Sequence, residues 1–179
     1  MKKNKIMLLA IFAFTMLFLP RSTWAQRDRD NLFRDSREAK SAFIKTDESM
    51  RQLFRDSYGY VIFPHIGKGA IVIGAGGGNG TVYEKGKSIG TAKVAQVNVG
   101  AQVGGQAYRE VIFFETRDAL DRFKRNKLEF SGQVSAIAAT SGASANAKYR
   151  EGVQVFTVEI GGLMLEASIG GQKFTYKPL

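Results

Sequence analysis

The chain lacks cysteine, holds one histidine and three prolines in 179 residues, and places none of its 20 glycines before Gly59. Without cysteine there are no disulfides, no thiol chemistry and no lipoprotein anchor. The lone His65 cannot build a zinc site without cysteines or further histidines. No Gly-x-Ser-x-Gly elbow is present to make it part of a serine triad. Acids form no recognisable catalytic pair, and nearly half of them fall before Ser57, spaced as a solvated helix face. Long apolar runs are missing too: the longest, Ile6 to Leu19, is shorter than the ~20 residues that span a bilayer. These absences lead us to expect no enzyme, no metal and no cofactor.

What is present begins with an export signal. Lys2, Lys3 and Lys5 precede the apolar run, Pro20 breaks it, and Thr23 and Ala25 occupy the small-residue positions of a cleavage site before Gln26. The alternative is an uncleaved anchor. Cleavage leaves residues 26–179 and a periplasmic or secreted protein, peripheral to any membrane it meets. It removes four cations (the three lysines and Arg21) and no acid, so the formal charge falls from +10 to +6. A basic exported protein is expected to meet anionic lipid, cell-wall polymer or an acidic protein rather than nucleic acid.

The rest reads as one domain of two parts. Residues 28–57 are charged and glycine-free, with Leu32, Ser36, Ala39 and Phe43 at helical spacing. Thr46 or Asp47 can cap a second helix through Met50, Leu53 and Phe54. From residue 59 to 177 the period becomes two, in "YVIF", "GAIVIGA", "VNVGAQVGGQ", "EVIFFE", "VQVFTVEI", "LMLEASI" and "QKFTY". One helix interrupts, capped by Thr116 and striped by Ala119, Leu120 and Phe123. Glycine within strands marks bulges, bends or close backbone approach. We therefore expect an α+β fold: a coiled or partly closed, antiparallel, glycine-rich sheet or barrel, with N-terminal amphipathic helices and one inserted helix.

The glycine stretch ends in Gly86-Lys87-Ser88, the tail of a phosphate-binding loop. The loop's first glycine should be residue 81, which is Thr81, and residues 89–100 alternate like a strand instead of opening a helix. Gly74 and Gly76 would need glycine or alanine at residue 79 for a dinucleotide turn, and that residue is Asn79. No nucleotide is expected, and "VYEKGKSI" reads as a hairpin turning at Lys85-Gly86.

Four blocks in order, "YGYVIFPHIGKGAIVIGAGGGNGTVY", "VNVGAQVGGQAYREVIFFET", "ALDRFKRNKLEFSGQVSAIAA" and "YREGVQVFTVEIGG", resemble the SYLF lipid-binding domain family, from about Ser41 to Tyr176. The resemblance implies a compact α+β domain that binds phospholipids, with Gly74, Gly77, Gly80, Gly100 and Gly104 structural. Some members also touch actin, which an exported protein is not expected to meet. In eukaryotic members the helix before the domain contributes to membrane binding.

The resemblance and the charge pattern point to two lipid-binding elements. One is the cluster Arg122, Lys124, Arg125 and Lys127 at the end of the inserted helix, where cations also complement the helix dipole. The other is the N-terminal helix, with Leu32, Phe33 and Phe43 apolar and Arg34, Arg37, Lys40 and Lys45 basic. Asp28, Asp30, Asp35 and Glu38 dilute its positive charge, which favours a helix folded onto the sheet with a solvated charged face. Lys85, Lys87 and Lys93 form a looser third group. The function expected is recognition of anionic headgroups. The alternatives are a small outer-membrane β-barrel and a structural or protein-interaction module of the envelope.

Overall fold

The computed structural model describes residues 22–68, 74–98, 106–128, 136–160 and 172–179. Most of the export signal, together with Gly100 and Gly104, lies outside them. The chain divides into two compact units, residues 1–31 and 32–179. In the first, residues 22–31 are helical, and Gln26 donates to Asp30 one turn on at 3.1 Å. The second holds the sheet and its cores.

Three helices and seven strands are present among the described residues. Helix α1 (Ser22–Thr46) and α2 (Met50–Asp56) precede β1 (Gly59–Lys68), β2 (Gly74–Glu84), β3 (Lys87–Asn98) and β4 (Gln106–Phe114). Then come α3 (Arg117–Lys124), β5 (Ala136–Ala138), a single 3-10 turn at Ser144–Asn146, β6 (Val153–Glu159) and β7 (Gln172–Pro178). The strands form one sheet in the order β5-β6-β4-β1-β2-β3-β7. Pairing is antiparallel except between β5 and β6, which run parallel. The α+β class holds. The closed-barrel form of the expectation does not, because β5 and β7 end the sheet without pairing to each other.

The sheet is nevertheless strongly curled. Three strands separate β4 from β7, yet Gln172 of β7 donates to Glu110 of β4 at 2.9 Å. Phe174 of β7 packs against Phe63 of β1 at 5.9 Å between ring centroids. Right-handed twist accumulates along a sheet, and a bulge increases it locally. One such bulge is in β1. Against both neighbours β1 carries one extra residue between Ile62 and Gly67, around Pro64 and His65. Pro64 has no N–H to give a ladder, so it suits that irregular position.

Alternation in β1 sends residues to two cores. Val61, Phe63 and Ile66 face the concave side, where Phe114, Leu120, Phe123 and Phe174 complete a buried cluster. Tyr60 and Ile62 face the convex side, where Ala39, Phe43, Met50, Phe54, Val111, Phe113 and Phe156 form the second. Burial on both faces explains why "YVIF" is a continuous apolar run rather than an alternating one. Helix α1 presents Ser36, Ala39 and Phe43 to that convex cluster, and Ser36 hydrogen-bonds Thr81 at 2.8 Å.

Helix α3 matches its sequence pattern closely. Ala119, Leu120 and Phe123 are buried, and Thr116 accepts from the Ala119 amide at 3.3 Å. Thr116→Ala should cost about 1 kcal/mol, the usual worth of such a cap. A chemical-denaturation midpoint indistinguishable from the parent would show that the cap contributes nothing. The β2–β3 turn also matches: Lys85 and Gly86 both have positive φ (49° and 77°), the two-residue hairpin geometry that fits strand twist.

Candidate functional site: the basic surface

The four cations at the end of α3 have different surroundings. Lys124 lies 3.2 Å from Asp121 and 3.5 Å from Glu84. Burial alone would lower its pKa, but hydrogen bonding and the charges of these two acids outweigh that and raise it. Glu84 is further held by the Tyr58 hydroxyl at 2.8 Å, which with Lys124 lowers its own pKa. Arg122 donates to the Glu151 carbonyl at 2.5 Å and lies 3.8 Å from Asp118. Arg125 and Lys127 remain exposed, and no acid among the described residues pairs with either at ion-pair distance. Between them Asn126 adopts positive φ (57°) and accepts from the Tyr176 amide at 2.9 Å, tying the helix exit to β7.

The N-terminal helix spends part of its expected membrane face on its own fold. Phe43 is fully buried, and Leu32 and Phe33 are half-buried. Lys40 turns inward: its ammonium donates to the Tyr60 hydroxyl at 3.1 Å and lies 4.7 Å from the Phe54 ring centre. Burial lowers the Lys40 pKa and pushes Tyr60 up to about 12. Arg34 is paired with Asp35 at 3.1 Å and lies 3.9 Å from Glu38, while Arg37 and Lys45 are exposed. The structure therefore supports the reading of α1, from Leu32 onward, as a helix folded onto the sheet.

The groove beside α2 does not single out an anion. It has a volume of about 720 Å³ and runs between α2, residues 144–149 and Gln154 of β6. Lys148 in its wall is offset by Asp56 and Glu115. Its Tyr149 is raised to about 12, by burial first and then by those same two carboxylates. Among the described residues no cluster of three or more potential metal ligands exists, and no helix is long and apolar enough to cross a membrane.

Sequence reasoning also missed Lys173 and Lys177, exposed on β7 beside an exposed Lys93 on β3. The alternation of "QKFTYKP" was legible and places both lysines opposite Gln172 and Phe174. Which strand β7 joins was not.

Fold and surface together define an α+β domain with a curled sheet and an exposed excess of basic side chains. Residues 95–177 match the Ysc84 family, described as Las17-binding protein actin regulator. A curated relative, Beta cell expansion factor A of Aeromonas veronii, is 29% identical over 127 residues, covering 70% of this chain and 48% of that protein. The chain thus spans about half the length of the curated relative it matches. The match to the Ysc84, or SYLF, family over residues 95–177 agrees with the resemblance of the later sequence blocks.

Proposed function

We propose that this protein is a non-enzymatic, exported domain that binds anionic phospholipid surfaces electrostatically. The observation that carries the reading is a set of exposed cations without acid partners among the described residues, on a chain with a formal charge of +10, or +6 after signal removal. Arg125 and Lys127 belong to that set, whereas Lys124 and Arg122 are engaged within the fold. Each free cation near an anionic surface is worth about 1 kcal/mol, so several suffice for reversible attachment. Attachment of this kind needs no bilayer-spanning segment.

Cosedimentation of the purified protein with vesicles tests the reading. Binding should require phosphatidylglycerol, be absent with phosphatidylcholine alone, and weaken as salt shortens the Debye length from about 10 Å at 0.1 M to about 3 Å at 1 M. Equal binding to both vesicles, or none to either, rejects it. The family description names actin regulation, so the absence of actin binding is itself a proposal that rests on export. Pelleting with actin filaments and the intact mass of the exported protein check those two points.

A further inference from the structure

Among the described residues, the convex face of the sheet is covered over only part of its width. Helices α1 and α2 pack over β1, β4 and β6, and the Ser36–Thr81 hydrogen bond marks where α1 reaches β2. Beyond that contact the register of β2, β3 and β7 lays out a grid of residues on the same side of the sheet as Thr81. One row is Thr81, Thr91 and Lys177; the next is Asn79, Lys93 and Thr175; the third is Gly77, Ala95 and Lys173. Their strand neighbours Val82, Ala92, Val94 and Phe174 point to the concave core, which fixes the outward direction of the grid.

Three of the nine positions are lysine and none is acidic. Lys93 sits opposite Thr175, so Lys173 and Lys177 are its two diagonal neighbours, about 7–8 Å away at the backbone. All three lysines are exposed, and so are Gly77, Asn79, Ala95 and Thr175 around them. Like charges placed this close on adjacent strands repel, which opposes folding unless a counter-charge is met. Small neighbours leave the lysine arms unscreened. The Asn126–Tyr176 hydrogen bond ties the exit of α3, with Arg125 and Lys127, to the edge strand β7, whereas α3 itself packs on the concave side, opposite these lysines.

We propose that the Lys93–Lys173–Lys177 face is the surface through which the protein contacts anionic lipid headgroups. This rests on the proposed lipid binding and specifies where it takes place. The charge is complementary to a membrane surface, and a sheet face whose side chains are exposed suits many headgroups side by side rather than one enclosed ligand.

The test compares the purified protein with two variants, Lys93→Gln/Lys173→Gln/Lys177→Gln and Arg125→Gln/Lys127→Gln. The probe is vesicles of equal parts phosphatidylcholine and phosphatidylglycerol. Each lysine near the surface contributes about fivefold, so the triple variant should bind about a hundredfold more weakly. The double variant should lose less. A triple Lys→Arg version, which keeps the charge, should restore binding, and unchanged melting temperatures establish that all variants fold. A triple Gln variant that binds like the parent while the double variant fails would overturn the assignment of the face and leave the lipid reading standing. A parent protein that ignores these vesicles would sink both. Retention of a DNA oligomer by the parent but not the triple variant, with vesicles unbound, would make the face a nucleic-acid surface and overturn the proposal.

Discussion

Asp47→Ala is expected to destabilise the protein by about 3 kcal/mol, a large share of the ~5–15 kcal/mol that holds a domain together. The carboxylate is buried at the junction of α1 and α2, at 1% exposure. It accepts from the amides of Ser49 at 3.0 Å, Gly142 at 3.2 Å and Ser144 at 2.7 Å. One side chain thus closes the turn before α2, whose N-cap is Ser49 rather than the expected Thr46 or Asp47, and also pins a segment nearly a hundred residues away. Alanine leaves three amides without their acceptor, and hydrogen bonds to a charged group are the strong kind. Asn keeps one acceptor oxygen without the charge and should cost roughly half as much. Denaturant midpoints measure both, and an alanine variant within about 0.5 kcal/mol of the parent would refute the anchor.

The same residue sets an acid limit. Burial pushes the Asp47 pKa up, but the hydrogen bonds from Ser144, Ser49 and Gly142 outweigh it, and the folded value lies below the ordinary one. A depressed carboxyl pKa contributes stability that is complete above the unfolded value, about 3.9, and is lost as pH falls through the folded value. The parent should therefore lose stability below about pH 4 more steeply than Asp47→Asn, which has no proton to take up there.

Gly80→Ala should cost about 2–3 kcal/mol, whereas Gly67→Ala should be close to neutral. A Cβ at Gly80 would lie 2.6 Å from the Phe63 ring and 2.7 Å from the Ile62 carbonyl oxygen. At Gly78 it would collide with the His65 carbonyl oxygen, while at Gly67 nothing lies within 4 Å. The cause is the β1 bulge, whose extra residue brings β1 backbone onto β2. Relief would have to move two strands and the aromatic core beneath them. Equal melting temperatures for the two alanine variants would show that close approach does not explain these glycines.

Those glycines answer the question their sequence poses. They accommodate a neighbouring strand, and the Gly86-Lys87-Ser88 tail lies at a hairpin turn and the start of β3. The reading of in-strand glycine as close approach holds for Gly78 and Gly80. It reaches Gly77 only weakly, with a 3.2 Å approach to the Val94 carbonyl.

The sequence by itself determined the α+β class, the stripe of α1, the stripe and cap of α3, and the turn at Lys85-Gly86. Each depends on a handful of consecutive residues, whose periodicity, capping oxygen or tolerance of positive φ is set by local chemistry. Only the tertiary structure decided which charges are free. Lys124 is neutralised by Glu84 from forty residues away, Lys40 is drawn under Tyr60, and Arg122 is held by the Glu151 carbonyl. Lys93 becomes a neighbour of Lys173 and Lys177 only because β7 pairs with β3 across some eighty residues of chain. Alternation tells which side of a strand a lysine occupies. Which strand lies beside it depends on how the whole sheet closes its two cores, and no local pattern encodes that.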